Sequence, residues 1–204
     1  MATATTPRKS TTVAASDGSG VPPGWDYNPS TWGQRWPIIG LAIAGTGIAG
    51  YLSLFQIGVL QSVWVPLFGD GSRRILTSWV SQLTHPVPDA GLGALSYLVD
   101  AVAGAIGGTR RWRTMPWMVI LFGLAVGPLG VVSVTLVILQ PVLFDAWCTL
   151  CLISGVISVL MIGPAMDEML ASLQHLKRES QRGASLWRAF WGLSATASSP
   201  AFAR

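Results

Sequence analysis

The chain reads as an all-α integral membrane protein, a four-helix transmembrane bundle with an outer loop between its first and second helices. Three observations predict this. Half of the residues are hydrophobic and only 11% are charged. The charges leave neutral gaps from Trp36 to Gly69, Thr114 to Phe144 and Ala146 to Met166, each holding the roughly 20 apolar residues that a spanning helix requires. Tryptophans mark the edges of these runs, at Trp36, Trp112, Trp117 and Trp147, as an interfacial aromatic belt does.

Residues 1–30 are rich in Ser, Thr, Ala, Gly and Pro, a composition that buries no core, and 1–34 is expected to be a disordered cytoplasmic tail. No apolar stretch follows Arg8 and Lys9 until Pro37, so this segment does not read as a signal peptide. The first span is expected over Pro37–Ile57, where Gly45, Ala49 and Ser53 recur every four residues and permit close helix approach. A loop over 58–89 follows. The second span, Ala90–Thr109, contains Asp100 near its middle, and an intramembrane acid is costly enough to be inward-facing. Asp100 reads either as part of a proton path or as a structural carboxyl bonded to Ser96 or another helix. The third and fourth spans are expected over Pro116–Leu139 and Ala146–Met166. Residues 167–204 form a cytoplasmic amphipathic tail, with Met169, Leu170, Leu173 and Leu176 at helical spacing and Trp187, Phe190 and Trp191 returning it to the interface.

Positive charge sets the orientation. Of the 13 Lys and Arg residues, only Arg73 and Arg74 lie in the loop between the first two spans; the other eleven share the opposite side. The positive-inside rule then puts both termini in the cytoplasm of a plasma (inner) membrane protein. The pI near 9.6 follows from this topology and from contact with anionic lipid, and no nucleic-acid motif accompanies it.

The only two cysteines form the pair Trp147-Cys148-Thr149-Leu150-Cys151 where the fourth span begins. Two thiols three positions apart at a helix start can close a disulfide, and the helix N-terminus favours the thiolate of the first. A tetrahedral zinc site needs about four ligands, and His85 and His175 fall on opposite sides of the predicted membrane, so no metal is expected. Attachment of a c-type haem needs a histidine where Leu152 stands. The remaining alternative is that both cysteines pack as small apolar residues. On the outer face a dithiol sits where disulfides persist.

The order of features carries a resemblance. The loop Gly69-Asp70-Gly71-Ser72-Arg73-Arg74-Ile75-Leu76-Thr77-Ser78 precedes Pro86-Val87-Pro88, then Gly91 and Tyr97, and finally the Cys-x-x-Cys pair. Over residues 35–166 this resembles the vitamin K epoxide reductase family, four-helix membrane bundles that oxidise protein dithiols and pass the electrons to a quinone. The resemblance implies a thiol:quinone oxidoreductase with Cys148 and Cys151 as the catalytic pair. Cys151 would face ubiquinone or menaquinone and Cys148 an incoming thiol, with Ser78 and Tyr97 in the quinone pocket. It also implies a loop cysteine pair at the positions of Trp64 and Ser72, and both sulfurs are missing. Thiol–disulfide exchange requires a sulfur at every step, so the family's relay cannot run within this chain. A thioredoxin-like thiol partner would act in trans. The alternative is a non-catalytic membrane scaffold or partner-binding relative with relic or sensor cysteines.

Overall fold

The computed structural model describes residues 20–64, 67–81 and 86–193. Among them every regular element is a helix: α1 Trp32–Gln56, α2 Gly71–Leu76, α3 Asp89–Ala105, α4 Arg111–Thr114, α5 Pro116–Phe144, α6 Thr149–Gln181 and α7 Leu186–Phe190. The chain is an all-α membrane bundle. Helices α1, α5 and α6 are long and apolar enough to cross a membrane, and α3, with 17 residues, packs along α1 in the same bundle.

The small residues of α1 are where α3 sits. A Cβ on Gly45 would come within 2.8 Å of the Tyr97 ring, so only glycine lets that ring lie flat on the α1 backbone. Ala49 meets Gly93, and Ser53 meets Gly91, one and two turns further along. On the other side, α5 and α6 form an antiparallel hairpin. Its turn is short because Asp145 adopts a left-handed conformation, φ 44°, directly after Phe144 and so reverses the chain before Cys148. Ala42, Tyr97, Phe122, Val126 and Met161 fill the centre between the four helices. Leu121, Val131, Val142, Val156 and Leu160 point outward, as lipid-facing positions do.

The element bounds depart from the expected spans at three places. Helix α3 stops at Ala105, because Gly107 at φ 85° breaks the run before Thr109. Helix α6 continues past Met166 to Gln181, so the amphipathic segment expected after the fourth span begins as the end of the fourth helix. Asp167 and Glu168 end the apolar run without ending the helix, since neither residue disrupts the backbone. The loop holds the extra helix α2.

The composition of residues 1–34 points to disorder, yet residues 20–31 are fastened to the bundle. Trp25 donates to Gln174 at 2.9 Å, Tyr27 to Asp167 at 2.6 Å and Asn28 to the Thr109 carbonyl at 2.8 Å. A few hydrogen-bonding side chains do what apolar content could not, and the remainder of the expected tail, 1–19, lies outside the described residues. Asp167 holds the Tyr27 hydroxyl proton so firmly that its pKa is pushed up to about 12.

This end of the bundle also holds buried charge. Arg35, 1% exposed, donates to the carbonyls of Gly104, Ile106 and Gly107 and so caps α3. Arg111 pairs with Glu168 through two hydrogen bonds, and Ser30 donates a third to the same carboxylate. His175 packs edge-on to Trp112 at 5.7 Å, and burial pushes its imidazole below its ordinary value. On the neighbouring face α7 brings Trp191 against Trp117, ring centroids 5.5 Å apart.

Candidate functional site

At the opposite end, Cys148 is the N-cap of α6 and forms a disulfide with Cys151, their Cα atoms 5.2 Å apart. The Cys151 N–H donates to the Cys148 sulfur at 3.2 Å. The Cys148 N–H donates to Gln140 Oε1 of α5 at 3.0 Å, which ties the motif to the hairpin. When the disulfide opens, the sulfur left on Cys148 faces an N–H donor at a helix N-terminus, an arrangement that favours the thiolate.

The two sulfurs have different surroundings. Cys148 is fully buried, packed with Leu52, Leu76 and Leu150, whereas Cys151 is half-buried and borders a cavity. Helix α2 lies against the stretch leading into Cys148. A Cβ on Gly71 would stand 2.4 Å from the Trp147 carbonyl oxygen, so α2 and the residue before Cys148 touch backbone to backbone. Beside it Ser72 is buried and its hydroxyl has no hydrogen-bond partner. Trp64 stands apart, exposed, its N–H donating to the Tyr51 hydroxyl at 3.0 Å.

The cavity next to Cys151 has a volume of about 170 Å³. That is the size class of an engineered protein cavity of ~150 Å³ that takes up benzene, so one six-membered ring fits. Its walls are mostly apolar, among them Ala49, Leu52, Leu136, Val137 and Phe144. A few polar groups converge on it, the usual makeup of a site for an apolar ligand with oriented oxygens. Ser78 and Tyr97 both line it together with Cys151; Cys148 does not. The Ser78 hydroxyl accepts from the Ser81 N–H at 3.4 Å, and no donated bond from it is seen among the described residues. Tyr97 is buried, its hydroxyl donating to the Ser154 carbonyl at 2.7 Å and lying 2.6 Å from Ser158 Oγ.

Several residues at this site escape sequence reasoning. Gln140 holds the Cys148 backbone, and at the cavity rim Gln56, Ser81 and Asp89 form a hydrogen-bonded cluster joining α1, the α2 connection and α3. Gln56 closes it by accepting the Ala90 N–H at 3.2 Å. A glutamine inside an uncharged apolar run was the available signal at Gln140, since an intramembrane amide needs a partner. Asp100 does not bond Ser96, whose hydroxyl donates to the Leu92 carbonyl. It is buried beside a second, smaller cavity.

Comparison with known proteins fits this geometry. The model of the Vitamin K epoxide reductase family matches residues 36–165, from the start of α1 to the middle of α6. No curated protein and no solved structure matches the chain.

Proposed function

The chain belongs to the vitamin K epoxide reductase family, a family of membrane thiol–quinone oxidoreductases, and from that membership we propose that it oxidises a dithiol through the Cys148–Cys151 disulfide and reduces a quinone. The observation that carries the reading is the disulfide with one sulfur, Cys151, on a ring-sized apolar cavity that Ser78 and Tyr97 also line. Cavity size and the donor set fit a quinone head group. Ubiquinone and menaquinone both present two carbonyl oxygens on a quinone ring; the one-ring head of ubiquinone matches the cavity in size, and the second ring of menaquinone would extend from it.

In the proposed cycle an incoming thiolate attacks the disulfide, one cysteine leaves, and a second thiol completes the exchange, releasing the substrate as a disulfide and the protein as a dithiol. A quinone bound in the cavity supplies the two-electron sink that returns the pair to the disulfide. The chain's own residues do the rest. The Cys151 N–H and the helix start hold charge on Cys148, Gln140 fixes its backbone, and the apolar walls keep bulk water from the reacting groups. Ser78 is the hydroxyl whose proton is available to a carbonyl oxygen in the cavity.

The proposed setting is the plasma membrane with the disulfide on its outer face and both termini inside, as the eleven-to-two division of basic residues indicates. The reductant is a small dithiol or a thioredoxin-like partner in trans. The test uses purified full-length protein in detergent, with dithiothreitol as donor and short-chain ubiquinone or menaquinone as acceptor. Quinol should form in wild type and be lost in both Cys148→Ser and Cys151→Ser. Absence of quinol in a folded wild type would leave the scaffold reading as the better account.

A further inference from the structure

The strongest feature the cycle leaves unused is Asp100. It is 4% exposed, and its Oδ1 is buried without a hydrogen-bond partner. Buried polar atoms are nearly always bonded, so an orphaned carboxyl oxygen in the apolar middle of a bundle calls for an explanation. The residue borders a cavity of about 40 Å³, room for a water, which needs ~10–15 Å³ and polar partners. Tyr97, Ser133 and Ser158 line the same cavity and supply those partners. Val126, Leu129 and Met161 complete the wall, and Asp100 is the only charged residue among the cavity's lining.

Those hydroxyls form a chain leading to the redox site. Ser133 and Ser158 lie 3.1 Å apart, and Ser158 and the Tyr97 hydroxyl 2.6 Å apart. Tyr97 and Ser133 line the larger cavity as well as the smaller one. In the other direction, Arg35 and Arg111 place their guanidinium groups on the carbonyls of Ala103, Gly104 and Ile106, one turn beyond Asp100.

We propose that Asp100 is the proton store of the quinone site, handing a proton across the small cavity that it shares with Ser158, through a water held there, and on through Ser158 and Tyr97 to the cavity beside Cys151. The proposal rests on the thiol–quinone reading above. No cation lines the cavity beside the carboxyl and one of its oxygens has no donor among the described residues, so it is placed to give and take a proton rather than to pair with a fixed charge. The step balances as follows. Closing the Cys148–Cys151 disulfide removes two electrons and two protons from the dithiol, and quinone-to-quinol conversion takes up two of each. One proton passes on the Cys151 side; the other leaves the Tyr97 hydroxyl, which gives up its bond to the Ser154 carbonyl and is refilled from Ser158 and, across the small cavity, from Asp100. Asp100 regains its proton through the same chain, from the proton that Cys148 gives up as it becomes the thiolate. It touches neither sulfur nor quinone and is a positioning residue acting through Tyr97.

The test has two arms. Infrared spectroscopy of the quinone-free protein at neutral pH should show the carbonyl band of a protonated carboxylic acid that disappears in Asp100→Asn; absence of that band overturns the proposal. In the turnover assay Asp100→Asn should lower quinol formation about 100-fold or more, the lower end of what a positioned proton donor contributes, with part of the loss restored in Asp100→Glu. Quinone binding, read by quenching of tryptophan fluorescence, should be unchanged in Asp100→Asn. Equal turnover in Asp100→Asn and wild type overturns the store while leaving the reading of the site standing. So does a loss of binding that matches the loss of turnover, which would mark Asp100 as structural. A wild type that reduces no quinone overturns the two together.

Discussion

Gly71→Ala tests whether α2 is the cover over Cys148. The added Cβ would lie 2.4 Å from the Trp147 carbonyl oxygen, whereas ordinary contact begins at 3.4 Å, so the two backbones must part by 3.4 − 2.4 = 1.0 Å. The obstructing atom is backbone, and no side-chain rotation relieves the clash. Overpacking of this kind costs about 1–3 kcal/mol, and here the cost falls on the closed position of α2. A shift of that size in a two-state equilibrium is a factor of about 5–150 in the open population. Cys148 has no exposed surface in the closed form, so its reaction with a maleimide reports the open one. The measurement is the labelling rate of Cys148 by mass spectrometry in a Cys151→Ser background, with circular dichroism confirming the helical content. Gly71→Ala should label faster by that factor. Ser72→Ala, which deletes a buried hydroxyl without a partner, should not label faster than its parent. If the Gly71→Ala rate stays within about twofold of the parent, well below that range, in a folded protein, thiols reach Cys148 by some way other than displacement of α2.

Two further predictions concern the opposite end and the orientation. Glu168→Leu leaves Arg111 buried without its partner and should cost about 3–5 kcal/mol, read as a lowered midpoint of thermal unfolding in detergent. The double change Arg111→Met with Glu168→Leu should recover most of it, and a single-mutant loss below about 1 kcal/mol, the level of an exposed pair, would show that water already screens the pair. In a background with Cys148 and Cys151 replaced by Ser, a cysteine substituted for exposed Arg74 should react with an impermeant thiol reagent applied to intact cells, and one substituted for Thr109 should not. The inverse labelling pattern would place the dithiol in the cytoplasm, against the proposed orientation.

The apolar core of the fold was legible because charge is sparse. A single gap in the charges marks each of α1, α5 and α6, and membrane thickness turns a gap of that length into a helix. Helix ends were less legible, since lipid dictates where charge begins and the backbone dictates where the helix stops. At Asp167 those two limits part, and α6 runs on to Gln181. Helix α2 has six residues, two of them arginine, too few to show a periodicity. The Arg111–Glu168 pair was invisible for another reason. Charge counting treats every ion as wet, and only the packed structure brings Ser30, Arg111 and Glu168 together from three separate segments. At the disulfide end the cysteines were legible because there are only two. Gln56, Ser81 and Asp89 were not, because their meeting depends on how the loop folds back between α1 and α3.

The missing loop sulfurs take on a definite meaning once α2 is in view. Ser72, at one of the positions where the resemblance calls for a cysteine, is buried beside the residue that touches the Trp147 backbone, and its hydroxyl bonds nothing. Its surroundings therefore suit a thiol, a weak hydrogen-bonding group, as well as they suit the hydroxyl present. Trp64, at the other position, is exposed and held through its backbone N–H. Helix α2 brings Ser72 beside the stretch leading into Cys148, and neither Ser72 nor Trp64 carries a sulfur. Since exchange needs a thiolate in contact with the disulfide, a reductant has two entries: through the cavity to Cys151, or to Cys148 once α2 withdraws. The first admits only a small or extended thiol, because the cavity is the size of a single ring. The second admits a folded partner but requires the backbone contact at Gly71 to open. The dependence of turnover on the size of the thiol donor, compared between wild type and Gly71→Ala, therefore reads out which entry is used. A gain confined to large donors assigns the second.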